Sequence, residues 1–301
     1  MFFAPLLLVV CLPIYLIDPY RLFSKAPVVP ESITKYYALS VNPVLWELPA
    51  FTRSPKPNIL LGDSQMNHLK AEDIERITGQ EYFNLAYGGG TIRELISTFW
   101  YASQRVRLRS VYIGISFVAY ADCVANRVPA VEGMIRNPLT YFVNRDVFEA
   151  TWDDGLDEFL HRPISYRTTM SREDFWRYEL TVVAVRCKQS PPTAYLKGEI
   201  RRIANYCVRN NIRLIFIIMP EHVDVQRCTH EPGAEDKYSS YEQDLASFGT
   251  TYDYDIPSEI TLDRHNYSDP FHLTDDAGAR VTQDIWSGQL RWCRKLPEGP
   301  R

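Results

Sequence analysis

The feature that most constrains this chain is an alternation. A short apolar run is followed by a polar or glycine-rich turn and then by a stretch with helical spacing. Asn58-Ile59-Leu60-Leu61 runs into Gly62-Asp63-Ser64, and residues 70–78 then show helical spacing with Gly79 as a stop. Residues 82–86 form a second run, closed by Tyr87 and the triplet Gly88-Gly89-Gly90. Thr91 with Glu94 three residues on reads as a capping box for a helix reaching Gln104. Residues 111–117 give a third strand, 195–210 an amphipathic helix, 213–219 a fourth strand ended by Pro220, and 252–256 a weaker fifth. A last helix over 274–292 carries Asp275 and Asp276 in its first turn, where acids suit the helix dipole. Runs that are apolar throughout belong to strands covered on both faces, so the expected class is α/β, with about five parallel strands and helices on both sides.

Two regions break the rhythm. Residues 121–190 are rich in Trp, Tyr, Phe, Arg and Asp without a clean strand, and read as a helical insertion. Met1 to Ile17 carry no charge, and Asp18-Pro19-Tyr20 ends that run. About 17 residues is the short limit for a helix crossing a bilayer core. The run lacks a basic n-region and a small-residue cleavage site, so it reads as an uncleaved membrane anchor. The expected organisation is an anchor over 1–20, a linker over 21–55 and an α/β domain over 56–295 that carries the insertion at about 121–190. Arg21 and Lys25 would place the following segment on the cytoplasmic side by charge bias alone.

Among 301 residues, 33 Lys and Arg against 37 Asp and Glu leave a net charge of −4, which argues against a nucleic-acid partner. The six cysteines contain no Cys-x-x-Cys pair, which makes a thiolate zinc site improbable, and Cys207 falls on the apolar face of its helix. Nothing in the chain calls for a cofactor.

Three polar clusters sit at predicted strand ends, where the loops of an open α/β sheet converge. These are Gly62-Asp63-Ser64, Gly88-Gly89-Gly90 and Asp269-Pro270-Phe271-His272. A serine hydroxyl needs a base to take its proton, and an imidazole needs an acid to fix its tautomer. Ser64, His272 and Asp269 supply these roles, and the backbone N–H groups of Ser64, Gly88 and Gly89 suit a developing oxyanion. Alone, each cluster is an ordinary turn or cap; their order and shared location make the chemical reading. His222, beside Glu221 after the fourth strand, is a candidate pocket residue, and Asp63 is a candidate substrate contact. Trp152 and Trp176, with Tyr166, Arg177 and Tyr178, are candidate sugar-stacking residues of the insertion. His68, His230 and His265 read as surface or loop residues.

Ile59 to Ser64 with Leu69, Asn84 to Gly89, and Asp269 to Thr274 together resemble the motif blocks of the SGNH (GDSL-type) hydrolases, over roughly residues 56–293. The resemblance implies a flavodoxin-like sandwich and serine-based acyl chemistry without a cofactor. The uncharged N-terminal segment is similar to that of a membrane-anchored branch, the polysaccharide O-acetyltransferases and the teichoic acid D-alanine transfer protein. That branch implies a glycan substrate of the cell envelope or a secreted polysaccharide. It also implies a domain on the outer side of the cytoplasmic membrane and an acyl donor handed over by a separate membrane protein. One block departs: the family's Gly-x-Asn-Asp reads Gly114-Ile115-Ser116-Phe117 here, so Ser116 stands where an asparagine donates to the oxyanion. The competing expectation is therefore a catalytically weak, anchored glycan-binding or assembly factor with the same fold.

Overall fold

The computed structural model describes residues 3–23, 28–121, 123–160, 170–189, 191–229, 231 and 233–297. It divides into two units, residues 55–126 with 169–301 and residues 1–54 with 127–168.

The larger unit is built on the expected parallel strands, β1 (Asn58–Gly62), β2 (Tyr82–Ala86), β3 (Ser110–Gly114), β4 (Arg213–Ile218) and β5 (Thr250–Asp253). A two-residue antiparallel β6 (Arg294–Lys295) is added at the edge, giving the order β2-β1-β3-β4-β5-β6. The chain leaves β1 toward one edge and returns through β3 toward the other, so a crevice opens at the carboxyl ends of β1 and β3. Their register is level, with Gly62 opposite both Ala86 and Gly114. Ser64 and Ser116 thus each follow a strand end by two residues. The apolar run that signals β1 is wholly inside: Ile59, Leu60 and Leu61 are fully buried, contributing about 1.5–3 kcal/mol each.

Helices α4 (Ala71–Thr78), α5 (Ile92–Ser103), α9 (Ala194–Arg209) and α12 (Asp275–Trp286) fall within a residue or two of the expected starts. Gly79 ends α4 in a left-handed conformation, φ 67°. The Thr91 hydroxyl accepts from the Glu94 N–H while the Glu94 carboxylate accepts from the Thr91 N–H, both at 3.2 Å, completing the capping box. Other boundaries differ. β3 stops at Gly114 rather than 117, because the chain turns there so that Ser116 can reach Asp63. The last helix ends at Trp286 rather than 292, since a turn with Gly288 at φ 74° leads into β6. Helices α10 (Val223–Thr229) and α11 (Glu235–Phe248) occupy a stretch with no sequence expectation. The insertion is helical as expected but divided: α8 (Arg172–Arg186) belongs to the sheet unit, whereas α6 (Val128–Arg136) and α7 (Arg145–Leu160) belong to the other.

The smaller unit also contains α1 (Phe3–Ile17), α2 (Glu31–Val41) and α3 (Pro43–Arg53). Residues 21–55 are therefore not a plain linker. The Asp18 carboxylate is buried and accepts from the Leu22 N–H at 2.9 Å, the Phe23 N–H at 2.8 Å and the Tyr141 hydroxyl at 3.1 Å. Asn42 caps α3 by accepting from the Leu45 N–H, and its amide donates to Asp146 at 2.7 Å. These polar ties explain why the chain after the apolar run folds on itself. No described helix is long and apolar enough to cross a membrane. The 15 residues of α1 span about 22 Å at ~1.5 Å per residue, against a hydrocarbon core of about 30 Å.

The strand ends at the crevice are packed through glycine. A Cβ on Gly62 would lie 1.8 Å from the Gly114 carbonyl oxygen and 2.8 Å from Met66 Cγ. Gly62→Ala is expected to lower stability by about 1–3 kcal/mol or more, read as a shift in the denaturant midpoint. A midpoint equal to the wild type would mean that the two strand ends are not held together as described.

Candidate active site

The turn after β1 carries Asp63, Ser64 and Gln65. The loop before α12 brings Asp269 and His272 to the same place. The Ser64 Oγ lies 2.8 Å from His272 Nε2, and His272 Nδ1 lies 2.7 Å from Asp269 Oδ2. A carboxylate only accepts, so Nδ1 donates to Asp269, which leaves Nε2 free to accept from the Ser64 hydroxyl. Asp269 is itself fixed: its Oδ1 accepts from the N–H groups of Phe271 at 2.9 Å and His272 at 3.0 Å. The loop is closed by Tyr267 pairing with Leu273 and by the Ser268 N–H donating to the His272 carbonyl at 2.9 Å. Thr274 then caps α12, which anchors the C-terminal side of the loop.

Electrostatics follow from this arrangement. Burial opposes charging His272, but the bond and charge of Asp269 outweigh it, and the imidazole pKa is raised. Burial works against Asp269 as well, yet the bond from His272 leaves its pKa lowered. His68 sits beside this pair, ring centres 5.4 Å from His272, in a short 3-10 turn over Met66–His68 rather than on a surface helix. Burial first, and the His272 charge second, push its pKa down to about 4. At neutral pH it is uncharged beside His272.

Asp63 and Ser116 come together as a pair, and the pairing bears on the role of Ser116. The Asp63 carboxylate is buried and accepts from the Ser116 hydroxyl at 2.6 Å, the Ser116 N–H at 2.8 Å and the Gln65 N–H at 3.0 Å. Asp63 is therefore a strut between the ends of β1 and β3, and it also lines the cavity over Ser64 and His272. Both donors of Ser116 are spent on it, so Ser116 does not supply the missing oxyanion donor. The N–H groups of Ser64 and Gly89 make no hydrogen bond with described residues, whereas the Gly90 N–H donates to the Tyr87 carbonyl at 2.9 Å. Gly89 and Gly90 line the cavity and Gly88 does not, which moves the glycine contribution one residue along. Gly89 holds φ 63°, a left-handed turn that suits glycine.

A cavity of about 310 Å³ opens over Ser64 and His272. Val118, Ala119, Ala121 and Phe271 give it apolar walls, and Glu179, Arg186 and Gln189 give it a polar side. The last three come from α8 and the chain just after it, and carried no sequence signal, because nothing in a helical stretch tells which residues will face a distant loop. Burial, then the Asp269 charge, raises the Glu179 pKa.

Of the other expected substrate contacts, Trp176 and His222 do not line this cavity. Trp176 is 2% exposed and part of the core, with its Nε1 donating to Asp224 at 3.1 Å. His222 packs edge-on against Trp176 and Tyr267 at 4.9 and 5.6 Å, and its Nδ1 accepts from the Asp224 N–H. Burial lowers its pKa, so it is a neutral core histidine. Trp152 is 61% exposed on α7 of the helical unit. Tyr178 is exposed on α8, Arg177 pairs with Asp174 at 2.7 Å, and His265 bonds locally to Asp263. Tyr166 and His230 lie outside the described residues. All six cysteines are free, and Cys207 is buried.

No family model matches the chain, and no curated protein matches it. Solved structures do. A protein from Bacteroides fragilis assigned as an acylhydrolase is 13% identical, covering 80% of this chain and 95% of its own at a TM-score of 0.40. One from Streptococcus pneumoniae assigned as a platelet activating factor is 12% identical, covering 94% and 97% at 0.42. A GDSL-like lipase from Bacteroides thetaiotaomicron is 11% identical, covering 79% and 88% at 0.36. A likeness of that size carries no information on activity.

If Ser116 is a strut and not a donor to substrate, Ser116→Ala should cost about 1.5–3 kcal/mol of stability through the lost bond to a buried carboxylate. Chemical denaturation measures it directly, and an unchanged unfolding free energy would contradict the strut.

Proposed function

We propose that the protein is a serine-dependent esterase or O-acyltransferase of the SGNH (GDSL-type) kind. The observation that carries this is the continuous hydrogen-bonded chain from Ser64 through His272 to Asp269, opening on a cavity. Ser64 Oγ attacks the ester carbonyl as His272 Nε2 takes its proton. The resulting oxyanion sits at the Ser64 and Gly89 N–H groups. His272 returns the proton to the departing alcohol, which leaves an ester on Ser64. Water, or a carbohydrate hydroxyl deprotonated by the same imidazole, then releases the acyl group.

The small apolar walls suit a short acyl group such as acetyl, and the polar side from α8 suits the hydroxyls of a sugar. Both favour an O-acetyl ester on a cell-envelope or secreted polysaccharide as substrate. Val9, Leu12, Tyr15 and Leu16 leave an exposed apolar face on α1. We place that face in a membrane, with the sheet unit on the outer side and the acyl donor supplied by a membrane partner. The second reading, a weakly catalytic glycan-binding or assembly factor, is favoured by one observation: Ser116 has no donor left for an oxyanion.

Ser64→Ala should abolish turnover of a p-nitrophenyl acetate probe by at least ~10³-fold and remove labelling by a fluorophosphonate. A wild-type protein that takes no label leaves the binding factor. His272 must be neutral to accept the proton, and its raised pKa puts the acidic limb of kcat/KM above the usual value of about 6.5, with the rate rising as pH rises through it. Asp269→Asn removes the raising influence and leaves burial, so the limb should move to lower pH while kcat falls about 10⁴-fold. A limb that stays in place would separate Asp269 from the imidazole. Finally, Leu12→Glu with Leu16→Glu should stop the protein floating with phospholipid vesicles; flotation as wild type would detach α1 from the membrane role.

A further inference from the structure

Gln65 and Glu221 meet beneath the candidate nucleophile. Gln65 follows Ser64 and is 4% exposed, and Glu221, three residues beyond the end of β4, is 2% exposed. The Gln65 Nε2 donates to Glu221 Oε1 at 2.7 Å. Each side chain then has one oxygen left, Gln65 Oε1 and Glu221 Oε2. Both are buried without a hydrogen-bond partner among the described residues. An unpaired buried polar atom costs about 1–3 kcal/mol, and two acceptors cannot satisfy each other. A single proton on Glu221 Oε2 turns one of them into a donor. A primary amide and a carboxylic acid joined by one N–H bond then close a ring through a second, O–H to amide oxygen.

We infer that Glu221 is held as a neutral carboxylic acid, paired with the Gln65 amide through two hydrogen bonds, and that through this pair it is a positioning residue for Ser64. The inference rests on the acyl-enzyme reading for its functional half only.

Burial and the neighbouring carboxylates oppose a charge on Glu221, and the bond from Gln65 acts against them. Asp63 faces Glu221 from the β1 end, and Asp253 and Asp255 lie at the β5 end, with the Glu221 N–H donating to Asp255 at 3.1 Å. Tyr241 and Tyr238 face the cluster from α11, Cys187 from the end of α8, Cys228 from α10 and Tyr267 from the loop before α12. His222, next in sequence, is kept neutral by burial. The nearby cation, Arg294, is engaged by Asp253 at 2.7 Å. Burial first, and Asp255 second, push the Glu221 pKa well up. The nucleophile turn is thereby pinned from two neighbouring strand ends, by Asp63 to the β3 exit and by Gln65 to the β4 exit. Loss of the proton to solvent at high pH puts a carboxylate against the Gln65 amide oxygen, which leaves the N–H bond but replaces the second bond of the Gln65 tie by repulsion.

The test begins with infrared difference spectroscopy on the full chain. Wild type at neutral pH should show the C=O stretch of a buried protonated carboxyl that disappears in Glu221→Gln. Absence of that band overturns the inference, whether or not the protein turns over any ester. With p-nitrophenyl acetate as probe, Glu221→Gln replaces the O–H donor by N–H. It should keep kcat within a few-fold while removing the alkaline fall that the proposal predicts for wild type. Glu221→Ala, which leaves the amide unpaired, should lower kcat by about 10–100-fold with little change in KM. A Gln variant as impaired as the Ala variant, or an alkaline limb that survives in it, overturns the positioning role. Fluorophosphonate labelling of Ser64, read by mass spectrometry, keeps that failure distinct from failure of the serine chemistry itself.

Discussion

The buried carboxylate of Asp63 is the contact on which the geometry at the sheet edge depends. Three donors converge on it, two from Ser116 and one from Gln65. It thereby locks the chain leaving β1 to the chain leaving β3 across the crevice. Burial raises its pKa, and the Ser116 bonds pull the other way. A charge taken out of water is tolerable only where donors replace the lost hydration. Remove the strut and the serine between Asp63 and Gln65 has no fixed direction. The 2.8 Å approach of Ser64 to His272 is therefore set partly by a carboxylate hydrogen-bonded to Ser116 and Gln65 rather than to either of them.

This division of labour explains what could be read from the residues alone. Strand β1 was legible because Ile59, Leu60 and Leu61 form an unbroken apolar run, the pattern of a doubly covered strand. Helix α5 was legible because its capping box is local, and Asp269 with His272 because three residues on one turn suffice to pair them. Ser64 and His272 were legible as partners across 208 residues only through their motif blocks, and what failed was the distant packing outside those blocks. Gln65 and Glu221 are 156 residues apart, and no periodicity announces such a pair. Trp176 and His222 had the right residue types for a binding site, but burial used them in the core. Residues 31–53 looked like linker because helices held by Asn42 and by contacts with the insertion have little signal of their own.

Ser116 is the most informative mismatch. The resemblance made it a replacement for an oxyanion donor, and its geometry makes it a partner of Asp63. With Gly90 committed to Tyr87, the described donors available to an oxyanion are the N–H groups of Ser64 and Gly89. One donor fewer is worth about 2.7–4 kcal/mol in the barrier, so the site is suited to slower acyl chemistry than a three-donor site would be. That deficit bears unequally on the two outcomes of an acyl-enzyme. Water is always present, so a slow enzyme still hydrolyses; transfer demands an acceptor hydroxyl held where water would otherwise attack. The side of the cavity formed by Glu179, Arg186 and Gln189 is where such an acceptor would be held. On the proposed reading, its polar character beside the apolar residues Val118, Ala119 and Phe271 would seat the two halves of an ester, a small acyl group on one side and a hydroxyl-rich alcohol on the other. On that reading, the choice between hydrolysis and transfer turns on α8, a wall of the site whose residues lie outside the sequence motifs.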